Sequence, residues 1–308
     1  MQDVRWGLST YREILWTRAR MIDAIRRFFI ERDYLEVETP CRMPTLIPEL
    51  NIDAAVSGDW FLHPSPELCM KRLLAAGFDR IFQICKCFRA GERGQRHLPE
   101  FTMLEWYRRD IGYMSLMQEC QELIASISCA VGCGNDIVYQ GNNIILQGPW
   151  ERLSVREAFD RYAALSVSEA LKSDRFDEIM AFDVEPKLGW ERPTFLCDYP
   201  VSSGALAKSR QDDPSVAERF ELYIAGLELA NAFSELTDAR EQQSRFERVQ
   251  EHRSLMNKPV YPLPEKFLCE FITMPESAGI ALGMDRLAMI FTDSTEIGDV
   301  VAFTPERL

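Results

Sequence analysis

Two arginines in this sequence stand where phosphate chemistry would need them. Arg89 ends an apolar, strand-like run, and Phe101 opens the next such run after a polar loop. A guanidinium held at a strand end can bind a phosphate through two parallel hydrogen bonds, and a phenyl ring offers a flat face to a purine. Arg286 falls in the first turn of a predicted helix, where the helix dipole disfavours a cation. We therefore expect Arg286 to have an anionic partner, either Asp285 or a phosphate.

Carboxylates on the predicted strands form a second group of candidate functional residues. A tight turn at 225–226 would place Glu228 on the same face as Glu221, where the two could share Mg²⁺, an ion that prefers oxygen ligands. Strict alternation would put Glu228 and Asn231 on opposite faces. A pocket lined by both therefore requires a β-bulge near Ala230.

Period-two alternation groups further residues on shared strand faces. One face carries Phe101, Met103, Glu105 and Tyr107, and another carries Asn231, Phe233 and Glu235. An acid buried on such a face needs a cationic or donor partner. For each segment alone, the alternative is structural: an exposed Arg-rich hairpin loop, acidic positions that face solvent, or a strand–helix junction with a surface ion pair.

The spacing of apolar residues predicts the elements that position these groups. Helices are predicted over 10–33, 67–76, 113–130, 239–253, 265–272 and 284–291, and another begins at the capping-box pattern 154–157. Strands are predicted over 34–39, 80–88, 101–107, 144–146, 194–199 and 279–282, and 220–233 is predicted as one or two strands with a turn near 225–226. The segment 41–64 is a predicted loop that could include one short strand, and 165–195 has no legible pattern. Because the strands come in runs, this order favours an α+β fold around a mainly antiparallel sheet flanked by helices.

Composition excludes several classes of protein. The chain has 308 residues, a formal net charge of −13 and 46% hydrophobic residues, as in ordinary globular proteins. No apolar run approaches the roughly 20 residues of a membrane span, and the acidic balance argues against binding nucleic acid over a broad surface. The nine cysteines and three histidines show no zinc-ligand spacing, and the N-terminus lacks a signal peptide's apolar segment. We therefore expect reduced, buried thiols in a cytoplasmic protein.

Several segments, in order from about residue 12 to the end, resemble the motifs of class II aminoacyl-tRNA synthetases. They are LEVETPC, SPELCMKRL, FRAGERGQRHLPEFTMLEWY, ELANAFSELTDAREQQSRF and GIALGMDRLAMIFTDS, which are most similar to lysyl-tRNA synthetase. A full lysyl-tRNA synthetase also carries an N-terminal OB-fold that binds the tRNA anticodon, and here the motifs begin almost at Met1. The chain therefore resembles the short paralogues of the GenX, PoxA or EpmA family. These ligases activate (R)-β-lysine with ATP and transfer it to a lysine side chain of translation elongation factor P.

The resemblance implies one class II catalytic domain over 1–308, without an anticodon-binding domain, in a cytoplasmic homodimer. It implies that Arg89 and Arg286 are catalytic, that Arg89 contacts the α-phosphate and the substrate carboxylate, and that Arg286 and Phe101 sandwich the adenine. The implied ATP-binding residues are Arg89, Gly91, Glu92, His97, Leu98, Phe101, Glu228, Leu229, Gly283 and Arg286. The implied substrate pocket consists of Ser65, Pro66, Glu67, Glu105, Tyr107, Asn231, Phe233, Glu235 and Ala281, and Glu221 with Glu228 would hold Mg²⁺.

Two positions depart from the family pattern. The family has asparagine and glutamate after the motif arginine, whereas here Ala90 and Gly91 precede Glu92. Either the loop shifts so that Glu92 serves, or that ATP contact is lost. Leu98 stands where the family has asparagine, and we expect this change to be harmless because the contact is made by the backbone.

Two other functions stay open on the sequence. A truncated synthetase-like enzyme could activate α-lysine for another acceptor, and a non-catalytic paralogue could bind an amino acid as a regulator. The persistence of both arginines and both metal-binding acids disfavours the second. Ser65, Ala230 and Ala281 favour the β-lysine branch, because the synthetase typically has glycine at the position of Ala281. A methyl-sized change beside a pocket is worth only about 1–3 kcal/mol.

Overall fold

The computed structural model describes residues 11–204 and 206–308, so the first residue of the helix predicted over 10–33 lies outside the described residues. The strands are β1 (Leu35–Glu36), β2 (Arg42–Met43), β3 (Ala55–Ser57), β4 (Trp60–Leu62), β5 (Arg80–Phe88), β6 (Glu100–Arg109), β7 (Asp136–Tyr139), β8 (Asn142–Ile145), β9 (Glu151–Ser154), β10 (Thr194–Pro200), β11 (Val216–Ile224), β12 (Leu227–Ser234) and β13 (Ser277–Gly283). The helices are α1 (Arg12–Ile30), α2 (Glu67–Ala75), α3 (Tyr113–Val131), α4 (Val155–Tyr162), α5 (Val167–Lys172), α6 (Phe176–Ile179), α7 (Ala239–Leu255), α8 (Glu265–Glu270) and α9 (Met284–Phe291).

One sheet of eight strands organises these elements. Its order is β1-β5-β6-β13-β12-β11-β10-β9, and all neighbours are antiparallel except β1–β5 and β9–β10 at the two edges. Helices α1, α3 and α9 contribute to the buried cluster on one face, and α2, α7 and α8 to the cluster on the other. The predicted α+β class, with a mainly antiparallel sheet flanked by helices, is confirmed.

Alternation along β6 separates the two layers. Trp106 packs 5.2 Å from Phe29 of α1, between ring centroids, whereas its neighbour Tyr107 belongs to the cluster on the other face. Because successive side chains of a strand point to opposite faces, one strand supplies both the apolar core and a row of functional side chains. The face shared with α2 and α7 is therefore the face that carries the candidate site.

Several predicted boundaries are wrong, mostly where strands are short. The predicted strand 34–39 is reduced to β1, and the predicted loop 41–64 contains the small sheet β2-β4-β3. The predicted strand 144–146 is part of the hairpin β7–β8, and β9 was missed. The region 165–195 contains α5, α6 and a π-helical turn at Met180–Val184. Strands of two to four residues form because they pair with neighbouring strands. Their sequences contain too few alternating apolar and polar residues for a strand to be predicted.

The cysteines only partly match the prediction of buried thiols. All nine are free, but Cys41, Cys129, Cys133 and Cys269 are exposed. In residues 11–204 and 206–308, no helix is long and apolar enough to cross a membrane.

A buried arginine ties α7 to the loop that approaches the site. The fully buried guanidinium of Arg253 donates hydrogen bonds to the carbonyl oxygens of Glu49 at 2.8 Å and Ile52 at 3.0 Å. It also forms an ion pair of 2.6 Å with the Asp53 carboxylate. The Arg253 side chain thus donates hydrogen bonds to several polar groups of residues 49–53, a segment with little regular structure.

We expect Arg253→Ala to lower the free energy of unfolding by about 3 kcal/mol, because it leaves several polar groups without their donor. Urea unfolding of the purified protein measures this change. The matched control is Arg248→Ala on the exposed side of the same helix, which should change stability by less than about 0.5 kcal/mol. Equal effects of the two substitutions would contradict the anchoring role of Arg253.

Candidate active site

Strand register brings most of the predicted substrate residues into two neighbouring rows. Glu221 of β11 pairs with Asn231 of β12, Asn231 pairs with Ala281 of β13, and Ala281 pairs with Glu105 of β6. Directly paired residues of antiparallel strands project their side chains to the same face. The next row contains Arg219, Phe233, Gly279 and Tyr107. The structure therefore assembles these predicted residues on one face.

The β-bulge expected near Ala230 is present. The pairing shifts between Leu222 and Tyr223, because Leu222 faces Ala230 whereas Tyr223 faces Glu228. Leu229 is the extra residue of β12. This shift allows Glu228 and Asn231 to line the same face, as the sequence required.

An ammonium group of the protein lies inside the predicted amine pocket. Lys71 of α2 is 1% exposed and forms ion pairs of 2.6 Å with both Glu67 and Glu235. Its Nζ also lies 5.0 Å from the centroid of the Phe233 ring. The sequence prediction missed Lys71, although its position four residues after Glu67 on one helix was an available signal.

Glu105 and Glu235 are buried acids with raised pKa values. Ser65 Oγ and Tyr107 Oη donate hydrogen bonds to Glu105 at 2.5 and 3.0 Å. Burial, followed by the charge of Glu67, raises the pKa of Glu105 well above its ordinary value. Burial also raises the pKa of Glu235 to about 8, although Lys71 opposes the shift. Both carboxyl groups would gain from a bound cation, and Glu235 Oε1 has no hydrogen-bond partner in the described chain.

Gly279 lets the aromatic and acidic groups of this pocket pack closely. A Cβ atom at this position would lie 2.2 Å from the Tyr107 ring and 2.8 Å from Glu235 Oε1. Glycine is thus required for the observed placement of both side chains. Pro66 precedes α2 at its N-terminus, and the hydroxyl of Ser65 accepts the backbone N–H of Glu67 at 3.0 Å.

Arg89 and Phe101 lie together at the other end of the site. The Arg89 guanidinium is 5.1 Å from the centroid of the Phe101 ring, and the Arg89 backbone N–H donates to the Pro99 carbonyl at 3.0 Å. The Glu92 carboxylate lies 3.8 Å from the guanidinium, so the displaced acid reaches Arg89 itself. Gly91 adopts a φ of 78°, which favours glycine at this turn.

Arg286 has an anionic partner within the chain, and this partner is not Asp285. It lies 3.3 Å from the Glu228 carboxylate and donates at 2.6 Å to Nε2 of His97. Asp285 instead accepts the Thr102 N–H at 2.7 Å and pairs with Arg18, so of the two partners expected for Arg286, Asp285 is excluded and a phosphate stays a prediction. Consecutive residues of a helix point in different directions, which takes Asp285 into the core.

Among the predicted nucleotide-binding residues, His97 presents its side chain, whereas Leu98 and Leu229 present only their backbones. Burial and the Arg286 charge lower the pKa of His97, so its neutral ring can accept the hydrogen bond from Arg286. Leu98 and Leu229 are buried in the core on the opposite face, which leaves only their backbones for a nucleotide contact. A Cβ atom at Gly283 would meet only the Leu229 carbonyl oxygen at 3.7 Å, so the protein leaves space there.

Glu221 sits in a polar environment that the sequence only partly revealed. Its carboxylate accepts hydrogen bonds from Tyr199 Oη at 2.5 Å, Tyr223 Oη at 2.6 Å and Arg219 at 2.5 Å. Burial raises the pKa of Glu221, Arg219 opposes this shift, and the charge of Glu228 adds to it.

Two further acids approach the site from segments for which no functional role was predicted. Burial and the charges of Glu221 and Glu228 raise the pKa of Glu185 to about 7. Burial and the charge of Glu67 raise the pKa of Glu49 to about 7. Both acids lie in irregular segments that lack a periodic pattern, so only the tertiary fold reveals them. The oxygen donors of Glu185, Glu221 and Glu228 fit the preferences of Mg²⁺.

Comparison with known proteins identifies the family of this arrangement. The family of tRNA synthetases class II (D, K and N) matches residues 4–307. The elongation factor P–(R)-β-lysine ligase of Salmonella gallinarum is 38% identical over 319 aligned residues, which cover 98% of both chains. The protein of that name from Erwinia tasmaniensis is 36% identical over 337 aligned residues, again with 98% of both chains covered. The chain therefore belongs to the class II tRNA synthetase family (D, K and N) and, within it, to the group of elongation factor P–(R)-β-lysine ligases.

Proposed function

We propose that this protein activates (R)-β-lysine with ATP as an adenylate and transfers it to a lysine side chain of elongation factor P. The observation that carries the proposal is the buried acidic pocket of Glu67, Glu105 and Glu235, which lies on the same sheet face as Arg89. A substrate with two amines needs such an excess of carboxylates, and its carboxylate needs a cation. The names of the similar ligases support the choice of substrate and acceptor.

The reaction needs no nucleophilic side chain. The substrate carboxylate attacks the α-phosphorus of ATP, and pyrophosphate leaves. Arg89 stabilises the charge that develops on the α-phosphate, while Phe101 and Arg286 hold the adenine between them. The amine of the acceptor lysine then attacks the adenylate carbonyl, forms an amide and releases AMP.

Mg²⁺ has a matching donor set in this chain. Glu221 and Glu228 would hold the ion, with Glu185 beside them, and the ion would offset charge on the triphosphate. Glu221 also needs its tyrosine and arginine partners to remain ionised in a buried position. In the same proposal, Glu92 stays near Arg89 and His97 lies along the triphosphate.

Ala281 is the proposed residue that favours the β-lysine isomer. It stands in register between Asn231 and Glu105, so its methyl group faces the pocket. The synthetase typically has glycine there. The added volume supports a preference between lysine isomers of at most about 1–3 kcal/mol.

Pyrophosphate exchange tests the activation step. Incubation with ATP, labelled pyrophosphate and (R)-β-lysine should give exchange well above that with α-lysine, because Ala281 and the acidic pocket suit the β-isomer. Intact-mass analysis of purified elongation factor P should then show one added β-lysyl group. A larger exchange rate with α-lysine would reject the substrate assignment, and no exchange with either would reject the enzyme activity.

Arg89→Ala is the matching inactive variant for this assay. It should reduce exchange by about 10²–10³-fold and leave the circular dichroism spectrum unchanged, because Arg89 acts on the transition state. Arg109→Ala is the control, since Arg109 ends β6, the strand that pairs with β5, and its side chain pairs with Asp79 away from the site. Retained activity in Arg89→Ala would show that the motif assignment is wrong.

The raised pKa of Glu235 predicts a pH dependence of substrate binding. Below about pH 8 a growing share of Glu235 is protonated and neutral, so an ammonium group loses its anionic partner. We expect KM for (R)-β-lysine to fall as the pH rises toward 8. Glu235→Gln should raise KM about 10–100-fold and remove this dependence, since it cannot ionise. Glu270→Gln is the control, because Glu270 is exposed on α8. A pH profile of KM in Glu235→Gln that equals the wild-type profile would refute the assignment.

We also propose that the protein acts as a cytoplasmic homodimer with one catalytic domain and without anticodon-type tRNA binding. Three large apolar side chains on α1 and β1 support the dimer: Trp16, Ile30 and Leu35 are 56%, 59% and 50% exposed. Strand β1 is also an edge strand, which a partner could cover. Light scattering should give twice the chain mass, and Trp16→Glu should shift it toward the monomer. A monomeric wild-type protein would reject the dimer.

A further inference from the structure

Three metal-ligating side chains meet beside the proposed active site. They belong to His63, Cys85 and Cys87, whose ligand atoms all lie within 4.8 Å of one another. His63 follows β4, whereas the two cysteines alternate on β5 and therefore point to the same face. Cys85 pairs with Met103 and Cys87 with Phe101, which places the thiols on the active-site face of the sheet.

The geometry of the two thiols matches a tetrahedral metal site. The Sγ atoms of Cys85 and Cys87 are 3.9 Å apart. Two thiolates bound to one zinc ion at about 2.3 Å with tetrahedral angles would be separated by about 3.8 Å. The sulfur atoms thus need almost no movement to share an ion.

The histidine is oriented as a ligand would be. Nε2 of His63 lies 2.8 Å from the Lys86 carbonyl oxygen, which can only accept a hydrogen bond. The ring must therefore donate through Nε2, and its Nδ1 lone pair is left for a metal. Metal-binding histidines usually donate their other ring N–H to a carbonyl or carboxylate in this way.

Burial also suits a structural metal site. His63 is 2% exposed and Cys87 is fully buried, so a bound ion would be shielded from solvent.

A third cysteine, Cys41, stands next to His63. Arg42 pairs with Leu62, and the His63 N–H donates to the Cys41 carbonyl at 2.8 Å, so Cys41 continues the register opposite His63. Its side chain therefore lies on the same face as that of His63. Cys41 is exposed, which provides a route for a metal from solvent.

We propose that His63, Cys85 and Cys87 bind a zinc-type divalent cation, with Cys41 as the fourth ligand. The combination of three thiolates and one imidazole is a structural zinc set, and soft ligands exclude Mg²⁺ as the occupant. Each cysteine releases its proton when the metal binds. The ion would join the end of β4 to β5 just before Arg89, so its role is to hold the strand that presents the guanidinium.

Metal titration of the purified, reduced protein tests the proposal. After chelation and gel filtration, Zn²⁺ should rebind at one ion per chain by plasma mass spectrometry, and Co²⁺ should give the charge-transfer and ligand-field bands of a tetrahedral thiolate site. Cys85→Ser should lose both signals. Cys87→Ala serves as the second variant, and circular dichroism verifies that each variant is folded.

Cys269→Ser is the matched control, because Cys269 is exposed on α8 away from the cluster. It should keep the full metal content and the cobalt spectrum. Cys41→Ser should keep one ion but alter the cobalt bands, since the third thiolate, which is the fourth ligand, is replaced. Absence of binding in the wild-type protein would overturn the proposal, and so would equal binding in Cys85→Ser and the wild type or a Cys85–Cys87 disulfide in place of metal binding.

Discussion

The active-site face depends on one electrostatic constraint: carboxylates buried on a sheet need compensating positive charge. Lys71 supplies one ammonium group for two carboxylates, Glu67 and Glu235. The raised pKa values of Glu105 and Glu235 show that this compensation is incomplete. A substrate ammonium would complete it. In the proposed function, the interaction that makes the free pocket costly would therefore also select a substrate with a positively charged side chain.

The antiparallel register of the strands brings these carboxylates together on one face of the sheet. Glu221 and Glu105 are far apart in the chain, and they share one face of the sheet because they end a row of directly paired residues across four strands. The shift of one residue at Leu229 brings Glu228 to the same side. Without that bulge the proposed metal-binding acid would point into the apolar core, where an ionised carboxylate has no partner.

Long periodic segments and motif residues could be predicted from the sequence, but groups held by tertiary contacts could not. The long helices, the central strands and the bulge near Ala230 followed from spacing. The buried position of Lys71 could not be predicted, because an isolated lysine on an amphipathic helix usually faces solvent. The position of Glu185 could not be predicted, because its segment has no periodic hydrophobic pattern. Asp285, one of the two partners expected for Arg286, pairs with Arg18 instead, since sequence adjacency says nothing about direction around a helix.

The cluster of His63, Cys85 and Cys87 likewise could not be predicted from the sequence. His63 is far from Cys85 in the chain, so no ligand spacing could reveal a group that exists only because β4 ends beside β5. On β5 the thiols precede Arg89 on the same face, so an ion bound there would restrain the position of the guanidinium without touching a substrate. Since a misplacement of about 1 Å can reduce a rate roughly 10²-fold, a structural ion at this strand end would act on catalysis through geometry alone.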